Sequence, residues 1–292
     1  MNPIDLTEVQ KRFGDKTVLN GFSMQVAPGE TVGFIGPNGS GKTTCLRILL
    51  GLLPRDDGQV KVLGMDPERD AVRIREHCCY LPGETSIYHG MRGKEFLRFA
   101  LSFYPRHQDD IQLDLLEHFA LPLQKKVRSY SAGMKQKLAL MATLIPDVEL
   151  YILDEPDRAL DASTRFFLRD VIKKLHQRQK TILLSSHHLR EVETLVDRLV
   201  FLMHGEVIEN ERVATARQIL ARRVCLKLKP GAALPKGARQ VRRDLDGTLH
   251  VEPDGDPVSW LSRLSPDSLV SAEIGMVRLE DLYRVLVEEA GS

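Results

Sequence analysis

The 292-residue sequence predicts an α/β fold. Two observations support this prediction: short apolar runs alternate with segments of helical periodicity up to about residue 210, and four of those runs are apolar almost throughout. Strands covered by helices on both faces have this continuous apolar pattern. We therefore expect four central strands, at TVGFIG (31–36), LYILD (150–154), TILLSS (181–186) and RLVFLM (198–203).

Two further regions belong to the same predicted domain, residues 1–221. IDLTEVQKRF (4–13) and VLNGFSMQV (18–26) alternate apolar and polar residues, which indicates an antiparallel β-subdomain with one solvated face. From about residue 86 to 145 the chain is rich in segments with a 3.6-residue period, such as EFLRFALSFY and IQLDLLEHFA. This pattern predicts an all-helical insertion.

The sequence pattern changes after residue 221, where Gly and Pro turns separate short strand-like segments such as VCLKLK and TLHVEP. We predict a small β-rich accessory domain over residues 222–292, with Trp260 as an anchor of its core rather than a ligand platform.

The composition excludes several classes of protein. Lysine and arginine (41) balance aspartate and glutamate (40), so no bulk positive field favours a dedicated nucleic-acid binder. No apolar run approaches the roughly 18 residues of a membrane span, and no secretory leader is visible, so we expect a cytoplasmic protein. The four cysteines form no CxxC pair and are expected to be reduced and mostly buried: Cys45, Cys78, Cys79 and Cys225.

A phosphate-binding loop is predicted at GPNGSGKT (36–43), between a buried strand and a helix at about 41–51. Its glycines let backbone N–H groups converge on phosphate oxygens, Lys42 reaches the outer phosphates, and Thr43 offers a hydroxyl to magnesium. The predicted nucleotide-binding residues here are Gly36, Pro37, Asn38, Gly39, Ser40, Gly41, Lys42, Thr43 and Thr44.

A pair of acids ends the buried strand in LYILDE (150–155). Burying carboxylates is costly unless they face a cation or water. Asp154 fits the magnesium-side carboxylate that accompanies a phosphate loop, and Glu155 fits the base that poises the attacking water.

A second turn suited to phosphate lies at YSAGMKQK (130–137), where Ser131-Ala132-Gly133 leads into a helix at about 133–145. The small residues and the helix N-terminus suit an anion. Ser131 as an ordinary N-cap is the plainer interpretation, and both can hold.

Taken together, GPNGSGKTT, YSAGMKQKLAL, LYILDEP, ALD and SSH occur in the order found in ATP-binding cassette (ABC) ATPases. Over roughly residues 4–208 the sequence most resembles the stand-alone ATP-binding subunits of bacterial ABC-2-type exporters, and RLEDLYRVLVEEA (278–290) is similar to their terminal segment. The resemblance implies a P-loop NTPase of the ABC cassette type, with a mixed central sheet, the antiparallel β-subdomain and the helical insertion.

The resemblance also implies an ATPase that uses ATP and Mg²⁺ and drives transport. Its expected partners are a second copy of the chain, in a head-to-tail ATP sandwich, and a separate membrane-spanning subunit docked around residues 84–92. The protein would then lie at the inner face of the cell membrane. The alternative is a soluble ABC-type ATPase acting on nucleic acid or ribosomes; such proteins usually carry two cassettes or a long coiled-coil insertion, and this sequence has neither.

Individual roles follow from the same resemblance. Ser131, Ala132 and Gly133 would contact the γ-phosphate of ATP bound to the other subunit. Phe13 would stack under adenine, although an aromatic near a strand end is often a core residue. His187 would sense the γ-phosphate; the neighbouring His188 makes the choice between the two histidines ambiguous. Leu160 and Asp161 would lie at the dimer interface, and Asp161 would also serve as N-cap of a helix at 162–179.

Three departures from the family pattern bear on catalytic efficiency. Gly83 stands where the family usually has glutamine, so either Glu84 reaches the magnesium site by a one-residue shift or a water fills the gap. Ala132 replaces a glycine. Asp157, Arg158 and Ala159 replace Thr, a small polar residue and Gly; Arg158 would either reach phosphate across the dimer or be a solvated surface residue. The transported substrate is not encoded in any recognisable motif.

Overall fold

The computed structural model of the chain describes residues 1–84, 87–186, 192–208, 210–232, 236–275, 277 and 279–290. The chain divides into two compact units, Met1–Val207 and Ile208–Ser292. The division falls before the helix Asn210–Ala221, which we had predicted to belong to the first domain. That helix packs against the terminal helix Leu279–Ala290 and therefore belongs with the second unit.

The first unit is built on a six-stranded sheet, and each of the four predicted central strands is part of it. Its strand order is β5-β6-β7-β3-β8-β9, and the pairs that join β5 through to β8 are parallel. The bounds are β3 Thr31–Ile35, β5 Cys78–Leu81, β6 Leu150–Asp154, β7 Thr181–Ser186, β8 Arg198–Met203 and β9 Glu206–Ile208.

The predicted antiparallel subdomain is a three-stranded sheet of order β2-β1-β4, with β1 Ile4–Phe13, β2 Lys16–Val26 and β4 Asp57–Val62. Its alternating pattern buries one face, on which Ile4, Leu6 and Phe22 lie. These side chains share one apolar core with the central sheet, where the rings of Phe22 and Phe34 are 5.8 Å apart. The shared core fixes the β1–β2 hairpin beside the carboxyl end of β3.

The helices of the first unit include the predicted insertion, α3 to α5. The bounds are α1 Lys42–Leu49, α2 Pro67–Glu76, α3 Gly93–Leu101, α4 Asp109–Phe119, α5 Ala132–Leu144 and α6 Ala162–Gln177, with a 3₁₀ turn at Val127–Ser129. Helix α3 ends before Phe103 and Tyr104, although the periodicity continues through them. Pro105 follows, and a residue that precedes proline is disfavoured in the helical region.

The second unit contains an antiparallel sheet of order β11-β12-β10-β13. Its core includes Trp260, which is 5% exposed and donates its indole N–H to the carbonyl of Lys236 at 2.9 Å, so the predicted anchor is confirmed. The bounds are β10 Val224–Leu228, β11 Ala238–Arg243, β12 Leu249–Pro253, β13 Leu269–Ile274, α7 Asn210–Ala221, α8 Pro257–Leu261 and α9 Leu279–Ala290. Within the described part of the chain, no helix has the length and apolarity to span a bilayer.

Candidate nucleotide-binding site

The loop between β3 and α1 has the backbone geometry that phosphate binding requires. Gly39 and Gly41 have φ angles of 79° and 111°, in the region that side chains disfavour. A Cβ on Gly41 would also lie 2.8 Å from the carbonyl oxygen of Val18. Glycine at position 41 is therefore required both by conformation and by the close approach of strand β2.

Lys42 lies inside this loop and is buried. Its Nζ donates to the carbonyl oxygens of Gly36, at 2.5 Å, and Pro37, at 3.1 Å. Burial lowers the pKa of Lys42, and the nearby carboxylates of Glu155 and Asp154 oppose that shift. The ammonium group is thus held against the loop by weak carbonyl partners that a phosphate can replace.

Asp154 is held in a fixed orientation at the end of β6 and is 3% exposed. Its Oδ2 accepts a hydrogen bond from Thr43 Oγ1 at 2.9 Å, and its Oδ1 accepts one from Ser185 Oγ. The contact between Ser185 and Asp154 follows from strand register, because β6 and β7 are parallel and Asp154 pairs with Ser185. We had not singled out Ser185 in the sequence; the parallel pairing of two neighbouring buried strands is the feature that could have identified it.

Glu155 follows Asp154 in a sharp turn, with a φ angle of 48°. Its backbone N–H donates to both the carbonyl and the hydroxyl oxygen of Ser185, at 3.2 and 3.1 Å. A left-handed conformation at a residue other than glycine costs roughly 1–2 kcal/mol, so neighbouring contacts must stabilise it. Strain of this kind is concentrated at functional sites.

One cleft of about 990 Å³ is lined by the phosphate loop, by Asp154 and Glu155, and by the β1–β2 hairpin. Phe13 lines it with 49% of its surface exposed and with Lys11 Nζ 5.5 Å from the ring centroid, so the alternative of a core aromatic is wrong. Glu84 lines the cleft and is exposed, whereas Lys16, Arg47 and Tyr80 line it without having been predicted. Each of these three lacks a motif of its own, and only the fold brings it to the cleft.

Position 83 lies directly beside the acidic pair. A Cβ on Gly83 would be 3.3 Å from both Cγ and Oδ2 of Asp154. Arg158 donates from Nη1 to the carbonyl oxygen of Gly83 at 2.8 Å, so it is bound to the site rather than simply solvated. The arginine therefore ties the loop after Glu155 to the segment in which the family's glutamine is missing.

The second turn, Ser131-Ala132-Gly133, packs against the loop that follows Glu155. Ser131 Oγ accepts from the N–H of Met134 at 3.2 Å, which confirms it as the N-cap of α5. A Cβ on Gly133 would lie 2.8 Å from the carbonyl oxygen of Ala159. None of these three residues lines the cleft that contains Lys42.

Asp161 is the N-cap of α6, as predicted. Its carboxylate accepts from the backbone N–H of Thr164 at 2.8 Å and from the Thr164 hydroxyl at 3.1 Å, and these bonds lower the pKa of Asp161. Lys137 Nζ, from α5, lies 3.5 Å from the same carboxylate. The ion pair connects α5 to the loop that contains Leu160.

The structure thus brings one group of predicted residues together and leaves another apart. Lys42, Thr43, Asp154 and Glu155 share one cleft, whereas Ser131, Ala132 and Gly133 lie on a separate surface. The predicted sensor His187 and its neighbour His188 fall outside the described residues.

The chemistry of the cleft suits a nucleotide with magnesium. Thr43 and Asp154 supply oxygen ligands, and Mg²⁺ is usually bound by one or two carboxylates together with substrate phosphates and waters. Ser40 Oγ is buried and has no hydrogen-bond partner among the described residues, but Ser40 is not one of the residues that line the cleft. The residues present fit the group that the resemblance implies.

Comparison with known proteins identifies the family of the chain. The ABC transporter family matches residues 19–158. The chain is 35% identical over 215 residues to the ABC transporter ATP-binding protein NatA of Bacillus subtilis, covering 70% of this chain and 87% of that protein. It is 34% identical over 217 residues to the Nod factor export ATP-binding protein I of Rhizobium etli, covering 73% and 69%.

Among solved structures, an ATP-binding subunit of an ABC transporter superposes with a TM-score of 0.66 at 26% identity, covering 73% of this chain and 92% of that one. A dimeric ATP-binding cassette bound to ADP and Pi superposes with a TM-score of 0.62 at 22% identity, covering 70% and 97%, and shares the fold. From the site and these relatives together, the chain belongs to the ABC transporter ATP-binding proteins and is an ATP-binding ATPase cassette of such a transporter.

Proposed function

We propose that ATP closes a head-to-tail dimer of this chain, that hydrolysis reopens it, and that the motion drives separate membrane-spanning subunits of an exporter. One observation carries the proposal: the Ser131-Ala132-Gly133 turn caps a helix but lies away from the chain's own nucleotide cleft. A helix N-terminus with small residues is an anion site. In an isologous dimer each turn can meet the γ-phosphate held by the other copy.

The cleft residues have defined parts in hydrolysis. Glu155 accepts a proton from the attacking water, and Lys42 with the loop N–H groups stabilises charge on the γ-phosphate. Thr43 and Asp154 would hold Mg²⁺, which would neutralise negative charge on the nucleotide's phosphates. Ser185 orients Asp154 and, through the backbone of Glu155, fixes the relative positions of the two acids.

The base assignment is tested by Glu155→Gln. The variant should bind ATP with unchanged affinity and hydrolyse it about 10²–10⁴-fold more slowly, the scale of a lost general base. Lys42→Ala is the matched control: it should lose nucleotide affinity, measured by titration with a fluorescent ATP analogue. Normal turnover by Glu155→Gln would refute Glu155 as the base.

The helical insertion offers a surface for the membrane-spanning partner. A mostly apolar groove of about 530 Å³ is lined by residues of α3 and α5, by residues of α2 and β5, and by the segments that follow β5 and α3. Phe99 and Phe103 line it with ring centroids 5.1 Å apart, and the ring of Tyr88, which does not line the groove, lies 6.0 Å from that of Phe99; all three residues are exposed. An amphipathic helix of a membrane subunit would bury such a row.

The export direction rests on relatives, since one of them is named for Nod factor export. Substrate choice would then belong to the membrane subunit.

The docking surface is tested by Phe103→Ser, with Leu113→Ser on α4 as a control of similar exposure outside the groove. The Phe103 variant should keep the ATPase rate of the isolated chain but bind several-fold less to membrane vesicles that contain the whole transporter. Equal loss of binding in both variants would contradict a specific groove.

A further inference from the structure

Four polar side chains form one row across the sheet of the second unit. Cys225 on β10 pairs with His250 on β12, and His250 pairs with Arg242 on β11. On the other side of β10, Cys225 pairs with Glu273 of β13. Directly paired residues of antiparallel strands have neighbouring side chains on the same face. This row lies opposite the face where Val224 and Leu226 join the Trp260 core.

His250 connects the members of the row by hydrogen bonds. Its Nδ1 is 3.3 Å from Cys225 Sγ, and its Nε2 is 2.8 Å from Asp244 Oδ2 and 2.8 Å from Arg242 Nη2. Arg242 also pairs with Asp281 of α9 at 2.7 Å. His250 is 3% exposed, whereas Cys225 lies in the middle of the row and is partly exposed.

The position of the ring proton depends on the two partners of Nε2. A neutral ring either accepts from Arg242 and carries its proton on Nδ1, or donates from Nε2 to Asp244 and accepts from the Cys225 thiol at Nδ1. A doubly protonated ring donates from Nε2 to Asp244, whose pKa is lowered chiefly by its hydrogen bond with His250. Where Nδ1 of a neutral ring is unprotonated, it can take the proton of the Cys225 thiol, and once Nδ1 carries a proton its N–H dipole points at the sulfur and stabilises a thiolate. Among the four paired residues, Glu273 carries the negative charge, and this charge disfavours a thiolate at Cys225.

We propose that Cys225 is a reactive thiol of this protein and that hydroperoxides oxidise it to a sulfenic acid. The thiolate sulfur attacks one peroxide oxygen, an S–O bond forms and the O–O bond breaks. The departing hydroxide or alkoxide takes a proton from the His250 imidazolium and leaves as water or alcohol. Sulfur loses two electrons and the peroxide gains them, so the step balances without a further reactant.

The other three cysteines provide internal controls. Cys45, Cys78 and Cys79 are buried, and burial raises the pKa of each thiol, that of Cys79 to about 12. Each should be inert in the folded chain, because the thiolate is the reacting form. The activation that we propose is therefore specific to the row, not general to the chain.

The test is alkylation of the full-length reduced protein by iodoacetamide at pH 7, followed for each cysteine by peptide mass spectrometry. Native Cys225 should react at least about threefold faster than the same residue in the urea-unfolded chain. A larger fraction of the native thiol is ionised, and this gain outweighs the lower nucleophilicity of a more stabilised thiolate. Cys45, Cys78 and Cys79 should react at least about a hundredfold more slowly than Cys225 in the native chain. Substoichiometric hydrogen peroxide followed by dimedone should then label Cys225 selectively.

A variant separates activation from simple exposure. His250→Gln, checked for native circular dichroism, should reduce the native Cys225 rate to or below the unfolded rate, and His107→Gln in the first unit should leave it unchanged. If His250→Gln fails to fold, the ratio of the Cys225 alkylation rates in the native and unfolded unaltered chain still tests whether the thiol is activated. A ratio of one or less, an unchanged rate in folded His250→Gln, or dimedone on other cysteines would overturn the proposal. None of these measurements requires ATP, so they are independent of the proposed transport function.

Discussion

At the scale of single residues, the departures from the family pattern have physical consequences. Ala159 has a φ angle of 58°, so it occupies a left-handed conformation at the position where the family usually has glycine. Its carbonyl oxygen also lies where a Cβ on Gly133 would come within 2.8 Å. The loop after Glu155 and the turn before α5 are thus closely packed. The loop is strained at Ala159, and glycine at that position would remove the strain.

This strain gives a stability prediction. Ala159→Gly should raise the free energy of unfolding by about 1 kcal/mol, because a left-handed alanine costs roughly 1–2 kcal/mol and the added chain entropy offsets part of that gain. Thermal unfolding followed by calorimetry measures the effect.

A matched control is Ala142→Gly in the last turn of α5, which should lower the stability by up to about 1 kcal/mol because a helix disfavours glycine. A lower melting temperature for Ala159→Gly would contradict the strain argument.

At the scale of elements, helix caps and predicted functional residues coincide. Ser131 caps α5 and Asp161 caps α6, and both belong to motifs that the resemblance assigns to the dimer interface. A single side chain therefore serves the helix and, in our proposal, the partner's nucleotide. Substitutions that keep the cap but change the charge separate the two roles.

Ser131→Asp is such a substitution, because aspartate is as good an N-cap as serine. It should leave the melting temperature within experimental error and abolish ATP-driven dimerisation, since its carboxylate would face the γ-phosphate of the partner's ATP. Ser131→Ala should behave differently, losing about 1 kcal/mol of stability with the cap. Sedimentation and thermal unfolding measure both properties; dimerisation by Ser131→Asp would place the turn away from phosphate.

The sequence predicts elements better than it predicts contacts between them. Continuous apolar runs identified β3, β6, β7 and β8, and caps and motifs identified the helices beside the site. The hydrogen bond from Ser185 to Asp154 could not be found in this way, because the SSH motif that begins at Ser185 gives that serine no role of its own and the contact depends on strand register. Arg158 bonds to Gly83, 75 residues away along the chain. Such contacts depend on folding, and local patterns do not encode them.

At the scale of the whole molecule, the predicted domain boundary at 221/222 followed the change in sequence texture. The compact units divide at 207/208 because α7 packs on α9, a contact between segments far apart in sequence. The second unit combines an apolar core around Trp260 with a polar row around His250, on opposite faces of one sheet. Its proposed thiol chemistry is separate from ATP hydrolysis in the first unit.

In our proposal, the Ser131 turn of one copy completes the nucleotide site of another. Sedimentation velocity of Glu155→Gln with and without Mg-ATP tests it most directly, alongside the Glu155→Gln/Ser131→Arg double variant. Slowed hydrolysis should trap the ATP-bound state, so ATP should convert Glu155→Gln from monomer to dimer, and the bulky Ser131 change should abolish the dimer while ATP still binds. A Glu155→Gln protein that binds ATP and stays monomeric, or a double variant that still dimerises, would contradict a dimer in which the Ser131 turn contacts the partner's ATP.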